Sequence, residues 1–282
     1  MENTEYELPT VDPIVRGPVG RYYGGKWRIA PWIIEQFPPH RIYVELYGGA
    51  GSVLLRKPRC YFEVYNDLDG EIVNVFRMLR EHGPALVELV RLTPYAREEF
   101  EQAYLLADSP LEQARRTLFR MAAGFASGAQ LSYSNGFRTS FQRSYTTPAD
   151  NWRDKPEILE QIVERLRGVC IEHLPALQVI PKYDSPDALY YVDPPYVWST
   201  RNNRNAGDTY HYEMSDQDHR LMAAALQHLQ GHVIVSGYAS PLYDELFAGW
   251  RRMEKETHAD GGRDRTEVLW IKPGAFEQPR LF

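Results

Sequence analysis

The sequence predicts an α/β protein, a sheet domain with helices that is interrupted by a mainly helical insertion. Three observations predict it. Short apolar runs that read as strands recur near both ends of the chain. The first two are each followed by a stretch with helical periodicity, the mark of a parallel sheet. Between the two sets the pattern changes to helices alone. With 282 residues, 43% of them hydrophobic, the chain can bury a sizeable core.

In chain order, "RIYVELY" (Arg41–Tyr47) reads as a buried strand, followed by glycines and a helix start at "SVLLRK". "YFEVYND" (Tyr61–Asp67) is a second strand, and "DGEIVNVFRMLREH" the amphipathic helix behind it. From about Pro84 to Arg167 the segments "ALVELVRL", "REEFEQAYLLA", "LEQARRTLFRMAAGFA" and "PEILEQIVERLRG" read as helices around a glycine- and serine-rich loop at Ser127–Ser144. Strands return in "GVCIEHL", "ALYYVD", "HVIVSGY" and "TEVLWIK", with the helix "SDQDHRLMAAALQHL", capped by Ser215, before "HVIVSGY". The expected boundaries are 1–83 and 168–275 for the sheet domain, 84–167 for the insertion and 276–282 for a flexible tail.

Cys60 and Cys170 make neither a disulfide framework nor a metal cluster, which points to a reducing, cytoplasmic setting. No apolar run reaches membrane-spanning length, and the acidic start "MENTEYELPTVDP" does not read as a signal peptide. The formal net charge of −6 argues mildly against a nucleic-acid partner, but distribution matters more than the sum. Between Gln113 and Ala149 there is no acidic residue, while Arg115, Arg116, Arg120, Arg138 and Arg143 interleave with Phe119, Phe125, Tyr133, Phe137, Phe141 and Tyr145. That basic, aromatic island is either a nucleic-acid surface or an ordinary solvated helix and loop.

Two glycine turns suggest a ligand site. "VELYGGAGSV" sets Gly48, Gly49 and Gly51 between a strand and a helix, where a ligand can approach the backbone. Asp67 closes the next strand 18 residues after Gly49, near the offset of about 20 at which an acid meets a ribose. An adenosine-type ligand, either NAD or S-adenosylmethionine (SAM), fits that spacing. Upstream, "YYGGK" puts Lys26 after Gly24 and Gly25, where an ammonium can meet a carboxylate. SAM has such a carboxylate; NAD has none, although a phosphate could stand in.

"YYVDPPYVWST" ends a strand with an aspartate and two prolines. Proline fixes its own φ and pushes the preceding residue towards extended backbone. Asp193-Pro194-Pro195-Tyr196 is therefore a stiff ledge presenting a carboxylate, a carbonyl and an aromatic face to something planar and polar.

From Arg21 to Lys272 the order of these motifs resembles the Dam-like family of DNA adenine methyltransferases. The resemblance implies a Rossmann-like, SAM-dependent fold with helices on both faces of the sheet and a target-recognition insertion. It implies that Tyr22, Gly24, Gly25 and Lys26 line the methionine end of SAM, and that Glu45, Tyr47, Gly49 and Gly51 form the glycine turn. Leu46 and Tyr47 replace that turn's usual proline and phenylalanine. Asp67 would hold the ribose. Asp193 and the Pro194 carbonyl would each accept a hydrogen of adenine's exocyclic amine, with Tyr196 stacked on a flipped-out base. The family's adenine-contacting aspartate is missing: Pro175 stands at the expected place, leaving Glu172 or Asp184. The basic island falls at the target-recognition region, with Arg138 of "SNGFRTS" at its centre, so double-stranded DNA is the expected partner. The polar segment "WSTRNNRNAGDTYHYEMSDQDH" would close over DNA and site. His211 and His219 within it are not read as metal ligands, and no metal is called for. Other acceptors stay open: cytosine's amine, RNA adenine, a protein glutamine, or DNA binding without catalysis. At the end, Gln278, Leu281 and Phe282 of "EQPRLF" resemble a sliding-clamp docking peptide.

Overall fold

The computed structural model describes residues 14–125, 136–140, 146–201, 211–258 and 264–274. Seven strands form one sheet: β1 (Ile42–Glu45), β2 (Phe62–Asn66), β3 (Val169–Glu172), β4 (Ala188–Val192), β5 (His232–Gly237), β6 (Arg251–His258) and β7 (Asp264–Ile271). Their spatial order is β3-β2-β1-β4-β5-β7-β6, all parallel except β7, which pairs antiparallel with both β5 and β6.

Alternating side chains go to opposite faces, and both faces are covered. Tyr43, Tyr65, Leu189, Tyr191 and Leu269 share one apolar cluster with α1 (Ala30–Ile34), α2 (Gly70–Glu81), α3 (Gly83–Leu92), α5 (Pro110–Ala123) and α7 (Lys155–Arg165). Val44, Val64, Tyr190, Val192 and Trp270 pack on the other side with α9 (Asp216–Gln227) and with Tyr243 of α10 (Pro241–Leu246). The remaining helices are α4 (Arg97–Gln102), α6 (Pro148–Arg153) and α8 (Ala176–Val179). Leu118 and Phe119 of α5 lie in the same cluster as the sheet, so the helical segment shares its core.

Some elements differ from the expectation. Residues 51–57 run as successive turns rather than a regular helix, with Leu55 N–H bonded to Gly51 at 2.9 Å and Lys57 N–H to Val53 at 2.9 Å. Strand β6 escapes sequence reading because "RRMEKETH" is an edge strand of mostly charged residues without an apolar face. Helix α9 begins as expected at Ser215, where Ser215 and Asp218 form a reciprocal capping box.

Candidate active site

The strand order reverses between β1 and β4, since β1 leads outward to β2 and β4 outward to β5. In an open parallel sheet such a point leaves a crevice at the carboxyl ends of the strands. A cleft opens there, the usual place for a ligand in such a sheet. Both glycine turns, Glu45 and Tyr47 from the end of β1, Asp67 after β2, and Asp193 and Pro195 after β4 line it.

The turn after β1 requires glycine. Gly49 and Gly51 have φ of +48° and +63°, a region disfavoured for L side chains. A Cβ on Gly49 would stand 2.6 Å from the Tyr22 ring, and one on Gly48 2.2 Å from the Tyr65 ring. Asp67 fixes the turn from the next strand: its Oδ2 accepts from Gly49 N–H at 2.7 Å and its Oδ1 from Asp69 N–H at 2.8 Å. Burial pushes the Asp67 carboxyl up to about 6. Glu45 is buried and its Oε2 accepts from Tyr43 OH at 2.7 Å and Leu54 N–H at 2.8 Å; burial raises it to about 8.

Around Asp193 lies a buried charged group. Its Oδ1 accepts from Ser236 Oγ at 2.8 Å, and Ser236 in turn meets Tyr191 OH at 3.0 Å. Its Oδ2 pairs with Lys26 Nζ at 2.9 Å. The same ammonium donates to the Gly24 carbonyl at 2.7 Å and lies 3.7 Å from Glu267 Oε1. Burial pushes the Asp193 and Glu267 carboxyls up, opposed by Lys26. Burial works to lower the Lys26 pKa, but Asp193 and Glu267 outweigh it and hold it above the ordinary value. The sequence places Lys26 at the methionine end of a cofactor; in the structure its ammonium is committed to Asp193, Gly24 and Glu267.

Tyr196 also departs from expectation. It is only 5% exposed, with Lys26 Nζ 4.7 Å from its ring centroid and Tyr238 packed edge to face at 4.4 Å. Its hydroxyl donates to Glu267, and Arg201 Nε donates to its carbonyl at 2.7 Å. The structure thus brings Tyr196 beside Asp193 without baring its face to the cleft.

Neither candidate for the missing aspartate reaches the cleft. Glu172 accepts from Tyr183 OH at 2.6 Å, and Asp184 accepts from Gln230 N–H at 2.9 Å. Pro175 is the residue preceding α8 and likewise does not line the cleft. Beyond Asp67 the cleft is lined by Leu68, Asp69 and the His211–Met214 stretch, with His211 Nδ1 3.7 Å from Asp69 Oδ1. His219 is buried against Tyr243, its Nδ1 3.1 Å from the hydroxyl. Among the described residues no group of three or more His, Cys, Asp or Glu could hold a metal ion, and no helix is long and apolar enough to cross a membrane.

The basic island is dispersed by folding. Arg115 pairs with Glu99 at 2.8 Å and Glu112 at 2.6 Å, Arg116 with Glu112 at 2.8 Å, and Arg120 with Glu71 at 2.6 Å. Arg115 and Arg120 are buried. These three are therefore not the open cationic surface that the sequence suggests. Arg138 donates its backbone N–H to the Ala123 carbonyl at 2.8 Å, holding residues 136–140 against the end of α5. Arg143 and the tail residues Gln278, Leu281 and Phe282 lie outside the described residues.

Sequence reasoning missed Glu267, Ser236, Tyr191, Tyr238 and Asp69. One signal was available: "TEVLWIK" carries an acid on a strand whose other residues are largely apolar, and a buried carboxylate demands a partner.

A family model described as D12 class N6 adenine-specific DNA methyltransferase matches residues 22–260. The chain is 26% identical over 252 residues to a type II methyltransferase, M1.LlaDCHI, of Lactococcus lactis subsp. cremoris, covering 82% of this chain and 84% of that protein. It is 24% identical over 186 residues to a DNA adenine methylase of Vibrio cholerae serotype O1, covering 63% of this chain and 64% of that one.

Proposed function

The chain belongs to the D12 class N6 adenine-specific DNA methyltransferases, and from that premise we propose how its residues divide the work. The reading is that the switch-point cleft binds SAM and that Asp193-Pro194-Pro195-Tyr196 receives a flipped-out adenine of double-stranded DNA. The observation that carries it is the meeting of four separate sequence features on one cleft: the two glycine turns, Asp67 and Asp193.

The residues present suit the cofactor. At the glycine turn the Tyr22 ring lies so close to the backbone that a Cβ at Gly49 would displace it, so glycine keeps this wall of the cleft in place. In this reading Tyr22, Gly24, Gly25, Tyr47, Gly49 and Gly51 give it shape. Glu45 acts from behind, through the Leu54 N–H that holds the turn, and Lys26 braces the first glycine turn through its bond to the Gly24 carbonyl. Asp67 keeps acceptor capacity on both oxygens for ribose hydroxyls, because each carboxylate oxygen has two lone pairs and spends one on the backbone. SAM supplies an electrophilic methyl group on a sulfonium.

The chain's task is to make a poor nucleophile act. Adenine's N6 lone pair is delocalised into the ring. Asp193 and the Pro194 carbonyl each accept one N6 hydrogen, favouring a tetrahedral nitrogen and stabilising the positive charge that develops there. Once N6 has taken up the methyl group that SAM would supply, its surplus proton would leave along the hydrogen bond to Asp193. Pro194 and Pro195 keep the ledge rigid, so alignment supplies much of the remaining acceleration. The buried base must be extruded from the duplex to reach this ledge. Stacking on Tyr196 requires its ring to be uncovered first.

For DNA contact, Arg138 and Arg143 carry the reading, since Arg115, Arg116 and Arg120 are engaged with carboxylates. Acting on DNA places the protein in the cytoplasm of a bacterial cell. Docking of Gln278, Leu281 and Phe282 on a sliding clamp is tested by pull-down; equal recovery of full-length protein and a Leu281→Ala/Phe282→Ala variant ends it.

The deciding experiment is methyl transfer from labelled SAM to unmethylated genomic DNA, followed by sequencing that reports modified bases. Label in adenine within one short motif supports the assignment and supplies the recognition site. Label only in cytosine overturns it.

A further inference from the structure

Resting on the reading of this cleft as an adenine methylation site, we propose that Glu267 is a positioning residue, the second counter-ion of Lys26. The ammonium sits on Asp193 while no base is bound, and it passes to Glu267 when the target amine arrives.

The geometry raises a conflict that this resolves. A base entering the ledge needs two things, an acceptor on Asp193 and the face of Tyr196. Lys26 holds both. Its Nζ is 2.9 Å from Asp193 Oδ2 and 4.7 Å from the centroid of the Tyr196 ring. The other carboxylate oxygen accepts from Ser236, so each oxygen of Asp193 already carries a partner before an amine arrives. The ammonium therefore crowds the carboxylate oxygen and the ring face that the exocyclic amine and its base approach.

A buried ammonium cannot simply be displaced. Stranding it without a counter-ion is strongly unfavourable, as for any uncompensated buried charge. Glu267 removes that obstacle. At 3.7 Å from Nζ it is already within ion-pair range, and a shift of about 1 Å brings it to hydrogen-bond distance. The Gly24 carbonyl, at 2.7 Å, can remain a ligand throughout. Glu267 Oε1 also accepts the Tyr196 hydroxyl, so the ring and the ammonium share one anchor. Movement of the cation and adjustment of the ring are thereby linked.

The hand-over also improves the acceptor. A carboxylate paired with an ammonium donates electron density less readily to another partner. Once Lys26 has moved, Asp193 faces the amine without a competing cation, as positive charge grows on N6.

The sheet explains why a residue so distant in sequence takes this part. Strand β7 runs antiparallel to β5, and their pairing ends at Gly237 opposite Val268. The next residue towards the start of β7 is Glu267, which therefore emerges at the carboxyl edge, where the parallel strands deliver Asp193 and Ser236. It is 4% exposed and 71 positions from the tyrosine that it holds.

The test uses the full chain, SAM and an unmethylated duplex. Wild-type protein that puts no label into adenine ends the functional reading itself, apart from the hand-over. With wild type active, Glu267→Gln keeps an acceptor for the Tyr196 hydroxyl and removes only the charge. Its single-turnover methyl-transfer rate should fall about ten-fold or more, while SAM affinity stays within about two-fold and the thermal midpoint holds. Lys26→Met removes the cation that has to move, so adding Glu267→Gln in that background should change the rate by no more than about two-fold. An unchanged rate in the single variant, or equal losses in both backgrounds, overturns the proposal. A crystal structure with S-adenosylhomocysteine and duplex DNA is an independent check. Lys26 Nζ hydrogen-bonded to Glu267 and withdrawn from Asp193 supports the hand-over; Lys26 still on Asp193 beside a docked adenine refutes it.

Discussion

Lys26 and Asp193 form a buried ion pair, Nζ to Oδ2 2.9 Å, that joins the first glycine turn to the end of β4. The two residues lie 167 positions apart in sequence, on either side of the helical segment. Each is the other's nearest charge, so perturbing one perturbs the setting of the other.

Asp193→Ala should abolish measurable methyl transfer, a loss of about a hundred-fold or more, as expected for removing a group that stabilises developing charge. SAM affinity should change little, because Glu267 remains near enough to pair with Lys26. Calorimetry of SAM binding beside single-turnover transfer separates the two. Near-normal turnover would sink the catalytic assignment.

SAM binding should depend on pH through Asp67. Its folded-state pKa is raised from 3.8 to about 6 by burial, so below that pH the folded protein holds a proton there. A protonated carboxyl is a poorer acceptor for ribose hydroxyls, so affinity should rise with pH and level off above about 7. The same raised value means that Asp67 draws stability from the fold as pH climbs from 3.8 to about 6. Asp67→Asn should bind more weakly and lose this pH step. Titrations at several pH values that show parallel curves for the two proteins would contradict the role.

Gly49→Ala should weaken SAM binding and lower the thermal midpoint. The left-handed φ of +48° costs a side chain about 1–2 kcal/mol, and the added Cβ also meets Tyr22. Gly168→Ala is the control: it carries the strain at φ +83° but has nothing within 4 Å of an added Cβ, and it lies away from the cleft. Comparable loss of SAM affinity in both would show that strain alone, not the contact with Tyr22, is being measured.

Arg120→Ala should act on stability rather than on DNA. It leaves Glu71 without the guanidinium that holds it at 2.6 Å, at a cost of about 1.5–3 kcal/mol. DNA affinity at fixed salt should stay within about two-fold, and the salt dependence should be unchanged. A shallower salt slope in the variant would mean that Arg120 does meet phosphate.

Arg165→Ala should destabilise most. Its guanidinium pairs with Glu63 at 2.7 Å, both side chains are almost fully buried, and Lys57 completes the group at 2.6 Å from Glu63. Breaking a buried pair of this kind costs about 3–5 kcal/mol. Urea unfolding checks it, and a loss under about 1 kcal/mol would count against a dry ion cluster.

Much of the site was legible because its chemistry is local. A stiff Asp-Pro-Pro-Tyr ledge, glycines forced by backbone geometry and an acid at a strand end are each set by a few consecutive residues. The charged strand β6 was not legible, because an edge strand has no apolar alternation to reveal it. Glu267 was only half legible: its strand was apparent, but its partner lies across the sheet.

By itself the sequence determined the strands of the parallel sheet, the glycine turns and the ledge, since short-range sterics and hydrophobic period fix those. Tertiary structure decided the rest. It alone carried Lys26 onto Asp193 and covered Tyr196. It alone brought Glu71 and Glu99 to a run of arginines that is free of acids only when read as a line. Charges pair according to distance through space, and distance through space is what folding sets.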